Sequence, residues 1–295
     1  MSPLDLPPDL RSRLRRLSLA PRRAATLVDG GMHASRNRGG SMEFAQYRAY
    51  ERGDDLRKID WKLYARSDRF FVTDAERESP VAIWIVIDTS ASMAQADLAT
   101  PDWSRFDAAK RLAVSLIEVA LNQGDRFGMI VASEGGPLVL TPGSDRRDRD
   151  RAMLTLAPLR ATGVVQWERD LAVFGGRIAA GDLVVMLSDG FDEGCIAAAE
   201  RLAASGRDVS LIQILTADER DFPFDRGFRF QDPESGIEVV GDGRSLRDDF
   251  LSRFTKARAA LAARLTSKGV RRVEYFVDEG ADLPIQKLSR AAAPR

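Results

Sequence analysis

Apolar and polar positions alternate in blocks along this chain, and the blocks predict strands and helices in turn. The strongest block is Val81–Ile87, an unbroken apolar run of mostly β-branched residues. Such a run indicates a strand that is buried on both faces, as at the centre of a parallel sheet. Two further runs, Leu183–Leu187 and the largely apolar Val209–Leu215, predict additional buried strands of the same sheet.

Helical patterns separate these strands. Apolar residues recur at helical spacing from Phe106 to Leu121, and further helices are predicted at 145–159, 167–179 and 246–265. Two short apolar segments, 126–133 and 136–140, flank a Gly-Gly turn and predict a hairpin at one edge of the sheet. The alternation of strands and helices predicts an α/β fold with a doubly wound, mainly parallel sheet.

The pattern changes near residue 80. Residues 80–295 carry the predicted α/β domain, and residues 1–79 are predicted to be an N-terminal β-rich extension with short strands. Residues 43–79 hold too few apolar side chains for a core of their own, so we expect them to dock on the main domain. The glycine-rich residues 29–42 predict a lid or linker. The charged cluster Gly53–Asp60 is interpreted as an ion-pair network, with a binding groove as the alternative.

Composition excludes several classes of function. The 44 Lys and Arg residues balance 44 Asp and Glu residues, which gives no electrostatic case for nucleic-acid binding. The single cysteine, Cys195, rules out an internal disulfide and fits a cytoplasmic location. No apolar run approaches the ~20 residues of a spanning helix. An arginine-rich helix with Leu10, Leu14 and Leu17 either packs on the body or makes peripheral membrane contact.

Two of the predicted strands end in a carboxylate. Asp88 closes the first strand and is followed by Ser90 and Ser92, and Asp189 follows the strand at 183–188. Since the carboxyl ends of parallel strands meet at one edge of a sheet, we expect these side chains to lie close together. Their hard oxygen atoms suit Mg²⁺, Mn²⁺ or Ca²⁺. The alternative interpretation is that these residues only cap helices.

Two motifs carry a family resemblance. The sequence D-x-S-x-S at 88–92 resembles the metal-ion-dependent adhesion site of von Willebrand factor type A domains. The run Y-x-x-G-D-D-x-R-x-I-D-W-K-x-x-A-R at 50–66, followed by that motif, closely resembles the bacterial "domain of unknown function 58" family over residues 29–190. The resemblance implies a von Willebrand factor A-like domain behind an N-terminal β-rich segment. It also implies an association with MoxR-type AAA+ ATPases.

The resemblance also implies a set of metal ligands. Ser90 and Ser92 would bind Mg²⁺ through their hydroxyls, and Asp88 and Asp189 would act directly or through water. An acidic residue of a protein partner would supply the last ligand. A few charged ligands together with retained water is the arrangement that Mg²⁺ prefers.

One ligand of the family pattern is missing here. The threonine of the family falls at Val164 or Val165, whose side chains cannot bind a metal, and Thr162 could substitute only if the loop were shifted. We therefore expect weak binding of Mg²⁺, with Mn²⁺ binding better. A vestigial site is the alternative.

These observations predict a non-enzymatic protein-interaction module that works with a MoxR-type ATPase. A metal-free structural scaffold is one alternative, and a metal-dependent hydrolase with Asp88 as its nucleophile is another. The hydrolase lacks an acid two residues further on, where Ser90 stands. The only histidine, His33, lies in the distant glycine-rich stretch, which disfavours Ser/His or Cys/His chemistry.

Overall fold

The computed structural model describes residues 2–21, 46–50, 59, 61–74, 81–234 and 236–292. In these residues the strands are β1 (Gln46–Ala49), β2 (Phe71–Asp74), β3 (Ala82–Asp88), β4 (Arg126–Ala132), β5 (Leu138–Gly143), β6 (Leu183–Ser188), β7 (Asp208–Leu215), β8 (Gly227–Gln231), β9 (Glu238–Asp242) and β10 (Arg271–Phe276). The helices are α1 (Pro8–Leu14), α2 (Trp61–Ser67), α3 (Arg105–Gln123), α4 (Arg146–Leu156), α5 (Trp167–Phe174), α6 (Glu193–Ala204), α7 (Ala217–Asp221), α8 (Gly243–Ser267) and α9 (Asp282–Ala292).

The chain divides into two units. One unit comprises Met1–Asp29 and Val81–Arg295, and the other comprises Gly30–Pro80. The predicted lid at 29–42 and, apart from Ile59, the charged cluster Gly53–Asp60 lie outside the described residues. The predicted docking of residues 43–79 on the main domain stays a prediction.

The larger unit is built around a mainly parallel sheet with the strand order β10-β7-β6-β3-β4-β5. Strand β3 lies between β4 and β6 and pairs with both in parallel. Strand β5 runs antiparallel to β4 at the edge of the sheet, which confirms the predicted hairpin. The two strongest apolar runs of the sequence are therefore direct neighbours. The α/β class and the mainly parallel sheet are as predicted.

Helices cover both faces of this sheet, which explains why β3 is apolar along its whole length. Successive side chains of a strand point to opposite faces. Ile85 accordingly lies in a cluster with α3, α1 and α9, whereas Trp84 lies in a second cluster with α6 and the end of α8. All of the β3 residues are buried. Burial on both faces is the usual setting of a strand in a parallel sheet.

The N-terminal helix α1 uses its apolar side within the larger unit. Leu10 and Leu14 are buried, and Leu17 packs against the same core cluster. Gln123 at the end of α3 exchanges two hydrogen bonds with the backbone of Leu19, at 2.8 and 2.9 Å. The three leucines thus have an intramolecular partner, in agreement with the packing alternative.

The smaller unit contains an antiparallel pair, β1 and β2, and the helix α2. The short apolar alternations of this region predict strands or turns. The alternation of Phe71 and Thr73 lies in strand β2. The alternation of Ile59, Trp61 and Leu63 does not form a strand, because Trp61–Ser67 is helical. Such a short apolar alternation does not distinguish strand from helix, and the Lys, Leu, Ala and Arg residues that follow Trp61 are good helix formers.

Within the described ranges, no helix combines the length and the apolar character needed to cross a bilayer.

Candidate metal centre

The candidate site lies where β3 and β6 end. Ile87 pairs with Leu187, so the next residues along the two strands, Asp88 and Ser188, lie side by side at the carboxyl edge of the sheet. The hydroxyl of Ser188 donates to Asp88 Oδ2 at 2.6 Å. Both residues are buried. Neighbouring parallel strands therefore place a carboxylate and a hydroxyl together at this edge. The hydroxyl of Ser188 was not among the predicted ligands.

The turn after β3 brings the predicted serines to this carboxylate. Asp88 Oδ1 accepts a hydrogen bond from the backbone N–H of Ser90 at 2.8 Å, which fixes the direction of the turn. A short 3₁₀ turn, Ala91–Ala94, follows. The hydroxyl oxygens of Ser90 and Ser92 lie 3.1 Å apart. Three of the predicted ligands are thus gathered within one turn.

The loop that carries Thr162 lies against this turn. The backbone N–H of Thr162 donates to the carbonyl of Thr89 at 2.8 Å, and Ala91 N–H donates to the carbonyl of Gly163 at 2.9 Å. Gly163 has a φ of +67°, a conformation that favours glycine. Thr162 is exposed beside the turn, whereas Val165 is buried in the core. The structure thus places Thr162 next to the candidate ligands through its backbone.

Asp189 reaches the same edge but is already paired with a cation. Arg105 Nη1 donates to Asp189 Oδ2 at 3.0 Å, and each of the two side chains is 1% exposed. The same nitrogen donates to the carbonyl of Ser92 at 3.1 Å. Arg105 Nη2 binds Glu219. Asp189 Oδ1 accepts the backbone N–H of Phe191 at 3.2 Å. The site therefore contains a buried guanidinium that the sequence did not predict.

The sequence does contain signals for Arg105 and Glu219, although they were not recognised as part of a site. Ser104 and Asp107 form a capping box at the start of α3, and Thr216 and Glu219 form another at the start of α7. Capping boxes mark where helices begin. Both helices follow strands or loops at the carboxyl edge of the sheet, so their first turns meet at the site. The start of a helix is the positive end of the helix dipole, which is unfavourable for the charge of Arg105. The carboxylates of Asp189 and Glu219 offset this cost.

The electrostatics of the site are dominated by the burial of Asp88. Burial raises the pKa of Asp88 to about 6, and the negative charge of Asp189 adds to the rise. The hydrogen bonds from Ser188 and Ser90 lower the pKa and only partly offset the effect of burial. An ionised carboxylate without a matched cation is costly in such a place. A cation beside Asp88 would relieve this cost.

The residues of the turn fit a small divalent cation. Two ligands at right angles on Mg²⁺ lie about 3 Å apart, given metal–oxygen distances of ~2.1 Å. The 3.1 Å between the hydroxyls of Ser90 and Ser92 matches this spacing, and Asp88 supplies a charged oxygen nearby. Among the described residues, no three His, Cys, Asp or Glu side chains converge to hold a metal ion. A metal ion here would therefore depend on the hydroxyls of Ser90 and Ser92. The carboxylate of Asp189 would have to interact with both the metal ion and Arg105.

Cys195 is not part of this chemistry. It is fully buried behind the site, and burial raises the pKa of its thiol well above the usual value, with further contributions from Asp88 and Asp189. The thiol is therefore neutral and a poor nucleophile. Cys195 thus serves as a small residue of the core.

Comparison with solved structures finds two similar proteins of Bacteroides species. The conserved hypothetical protein BatB from Bacteroides thetaiotaomicron is 19% identical, with a TM-score of 0.42 over 71% of this chain and 96% of that one. An aerotolerance-related membrane protein from Bacteroides fragilis is also 19% identical, with a TM-score of 0.42 over 72% of this chain and 98% of that one.

Sequence comparison finds nearer relatives. Uncharacterized proteins of Mycobacterium bovis and Mycobacterium tuberculosis are each 29% identical to this chain over 265 residues, which is 87% of this chain and 80% of theirs. The model of the family described as "Protein of unknown function DUF58" matches residues 46–260. The match covers most of the chain, including the turn with the two serines, and the chain therefore belongs to the DUF58 family.

Proposed function

We propose that this chain is a non-enzymatic protein-interaction module of the von Willebrand factor A type. Its site binds a divalent cation, Mg²⁺ or Mn²⁺, through Asp88, Ser90 and Ser92, with Asp189 acting through water. The bound cation supplies a positive charge that holds an acidic residue of a protein partner. The observation that carries this proposal is the 3.1 Å separation of the two serine hydroxyls beside a buried carboxylate.

Binding is favoured over catalysis by the contacts of Asp88. Both of its carboxylate oxygens accept hydrogen bonds, from Ser188 and from the backbone of Ser90. A nucleophilic carboxylate needs an oxygen that is free to attack and a nearby general acid. The residue two positions further on is Ser90, which cannot serve as that acid. These contacts support an adhesive role and argue against the hydrolase.

We further propose that the partner is a MoxR-type AAA+ ATPase and that the two proteins meet in the cytoplasm. Membership of the DUF58 family supports this choice of partner through the resemblance described above. The physical requirement on the ATPase is an exposed Asp or Glu side chain that can reach the cation. Mixing the two purified proteins with Mg²⁺ or with a chelator, and measuring the complex by analytical ultracentrifugation, tests this part. A complex that ignores the chelator would contradict a metal-bridged contact.

Calorimetric titration of Mg²⁺ and Mn²⁺ tests the site itself. The wild-type chain should release or absorb heat with both metals, with tighter binding of Mn²⁺. Asp88→Asn and the Ser90→Ala/Ser92→Ala double variant should bind neither. Asp182→Asn is the matched control, because Asp182 is a buried carboxylate at the opposite end of the same strands. It should bind both metals as the wild type does.

A metal-free scaffold is the second candidate, and Arg105 is the observation that favours it. Its guanidinium already neutralises part of the negative charge at Asp189 and Glu219. If this internal cation suffices, the wild type gives no metal-dependent heat and the Asp88→Asn variant gives the same flat trace. That result would replace the metal-binding proposal with the scaffold.

A further inference from the structure

A cavity lies beside the first turns of α3 and has a volume of about 430 Å³. Its walls come from the segment 2–4, the end of the 3₁₀ turn at Ala94, the helix α3 and the loop 157–161. None of the residues assigned to the metal lines this α3 cavity. Sites for small molecules have volumes of roughly 300–1,000 Å³. The α3 cavity is therefore large enough for a small molecule and is separate from the candidate metal centre.

Two basic side chains of the wall meet at one carbonyl oxygen. Lys110 Nζ donates to the carbonyl of Leu159 at 2.8 Å. Arg160 Nη1 donates to the same carbonyl at 3.1 Å. Both side chains line the α3 cavity. Two positive charges are thus held close together at its wall, and each disfavours the charged form of the other.

Lys110 carries its charge in a buried place. The residue is 3% exposed, and its ammonium lies 4.8 Å from the centre of the Phe106 ring. An ammonium has three N–H donors, and among the described residues one of these donors has an oxygen acceptor. Within the same ranges, neither Lys110 nor Arg160 forms an ion pair with a carboxylate. Because buried charges are usually paired, the wall of the cavity lacks an anion.

The carboxylate of the wall, Asp107, does not supply the missing partner. Its Oδ2 accepts the backbone N–H and the hydroxyl of Ser104, at 3.1 and 2.7 Å, and so caps α3. Burial lowers the pKa of Lys110 below its usual value of 10.5. The charge of Asp107 opposes this fall, and the charge of Arg160 adds to it. The surroundings thus disfavour the charged lysine, and an added negative charge would stabilise it.

We propose that the α3 cavity binds a phosphorylated small molecule, whose phosphate group lies between Lys110 and Arg160. A phosphate monoester carries a charge of about −1.5 to −2 near pH 7, which matches two cations better than a carboxylate does. The guanidinium can bind two phosphate oxygens, and the ammonium can bind a third. Arg160 is exposed and can turn toward the ligand without disturbing the core. The side chains of Leu4, Phe106 and Ala161 line the same cavity and provide apolar contacts for the carbon part of the ligand.

Three variants separate the charges of the cavity from a general effect on the fold. Arg160→Met removes the exposed cation, and Lys110→Met removes the buried one while keeping an unbranched side chain in its place. Arg151→Met is the matched control, because Arg151 is an exposed arginine of α4 that does not line the cavity. Arg160 and Arg151 lie at the surface, so these two variants should fold even if Lys110→Met does not.

Calorimetric titration with phenyl phosphate, inorganic phosphate and phenylacetate is the first measurement, at constant ionic strength and with divalent metals removed. The wild type and Arg151→Met should bind phenyl phosphate most tightly, inorganic phosphate less tightly and phenylacetate most weakly. Arg160→Met and Lys110→Met should each bind phenyl phosphate at least about tenfold more weakly, because a hydrogen bond to a charged group is lost. The absence of binding by the wild type, or equal affinity in the wild type and Arg160→Met, would overturn the inference. Tighter binding of phenylacetate would overturn the assignment of a phosphate.

Removal of the divalent metals keeps this titration apart from the test of the proposed function. The α3 cavity should bind phenyl phosphate without Mg²⁺, whatever the outcome of the metal titrations. Binding that appears only with Mg²⁺ would place the phosphate at the metal centre instead, and the inference would fail while the proposed function stood.

Amide hydrogen exchange, which reports how often a segment opens, locates the bound phosphate. A ligand at about ten times its dissociation constant should slow exchange about tenfold in segments that open only after the ligand leaves. Phenyl phosphate should protect the loop 157–161 and the first turns of α3 in the wild type and in Arg151→Met. It should leave them nearly unchanged in Arg160→Met. Protection of other segments, with none in this loop, would show that the anion binds elsewhere and would contradict the inference.

Discussion

Strand β3 has a buried carboxylate near each of its ends, and the two carboxylates are satisfied differently. Near the amino end, Asp182 accepts the backbone N–H groups of Ala82 and Ala179 and the indole N–H of Trp84, at 2.9 to 3.0 Å. At the carboxyl end, Asp88 accepts one backbone N–H and the hydroxyl of Ser188. All three donors of Asp182 are backbone or indole N–H groups. Asp88 has one backbone donor, and its other donor is a hydroxyl that can rotate.

This difference indicates that Asp182 has a structural role, whereas Asp88 can change its hydrogen-bond partners. A backbone or indole N–H can only donate, so the set around Asp182 has one arrangement. A hydroxyl donates through its hydrogen and accepts through its lone pairs, and it can rotate between these roles. Ser90, Ser92 and Ser188 therefore can turn their oxygens toward a cation without moving the backbone. The donors of Asp88 include a hydroxyl that can change its role, whereas those of Asp182 cannot.

The largest expected effect comes from removing the guanidinium of Arg105 at the carboxyl end of β3. Arg105→Met should lower the free energy of unfolding by about 4 kcal/mol, because it leaves Asp189 and Glu219 without their buried partner. Urea unfolding measures the change. Arg111→Met on the same helix is the control and should cost about 1 kcal/mol, since Arg111 donates only to backbone carbonyls. Equal losses would mean that the pairing of Arg105 adds nothing beyond packing.

The next effect tests the amino end. Asp182→Ala should lower the free energy of unfolding by about 3 kcal/mol, because three donors lose their acceptor in the core, including the indole of Trp84. Asp182→Asn retains one acceptor oxygen and should cost less. Thermal unfolding and Trp fluorescence follow both variants. A loss that depends on Mg²⁺ would contradict the assignment of Asp182 as purely structural.

The features of the fold and the site that could be predicted from the sequence are those that depend on residues close together in the chain. The strands at 82–88 and 183–188 and the turn after Asp88 follow from short patterns, because burial on both faces requires continuous apolar runs. The shared edge of the two strands follows from the parallel topology. The turn between β8 and β9 also has a local signal, since a proline at position 233 and a glycine at position 236 are typical turn residues.

The remaining features depend on contacts between distant parts of the chain. Arg105 meets Asp189 across 84 residues and Glu219 across 114 residues. Each helix start is visible as a capping box, but only the packing of the helices on the sheet brings them to one point. The helix at Trp61–Ser67 was missed since its short apolar alternation fits either structure.

An effect similar in size to that of Asp182→Ala, but of opposite sign, comes from the charge of Asp88. Its pKa in the folded chain, about 6, lies above the ordinary value of 3.8, so the unfolded chain loses this proton first as the pH rises. Wild-type stability should therefore fall between about pH 4 and pH 6 and stay lower above that range, by roughly 3 kcal/mol. Asp88→Asn cannot ionise and should lack this loss.

Urea unfolding from pH 4 to pH 8 in the presence of a chelator measures the effect. The stability of Asp88→Asn minus that of the wild type should rise between pH 4 and pH 6 and then level off. A constant difference across this range would show that Asp88 does not carry an electrostatic cost in the folded chain. Saturating Mg²⁺ at pH 8 should restore much of the wild-type stability, since a ligand that binds only the folded state stabilises it.

The smallest effect tests whether the hydroxyl of Ser188 adjusts to the charge of Asp88. The hydrogen bond at 2.6 Å lowers the pKa of Asp88, so Ser188→Ala should raise that pKa further. The variant should lose about 1 kcal/mol at pH 8, where Asp88 is charged, and less at pH 4, where Asp88 is neutral in the folded chain. The pH range over which stability falls should also extend above pH 6.

Ser115→Ala is the control, because the buried Ser115 donates to a backbone carbonyl within α3 at 2.8 Å, away from any carboxylate of the site. Its cost should not change with pH. If the cost of Ser188→Ala also does not change with pH, the hydroxyl of Ser188 does not respond to the charge of Asp88. The hydrogen bonds of Asp88 would then be as invariant as those of Asp182 at the amino end of β3.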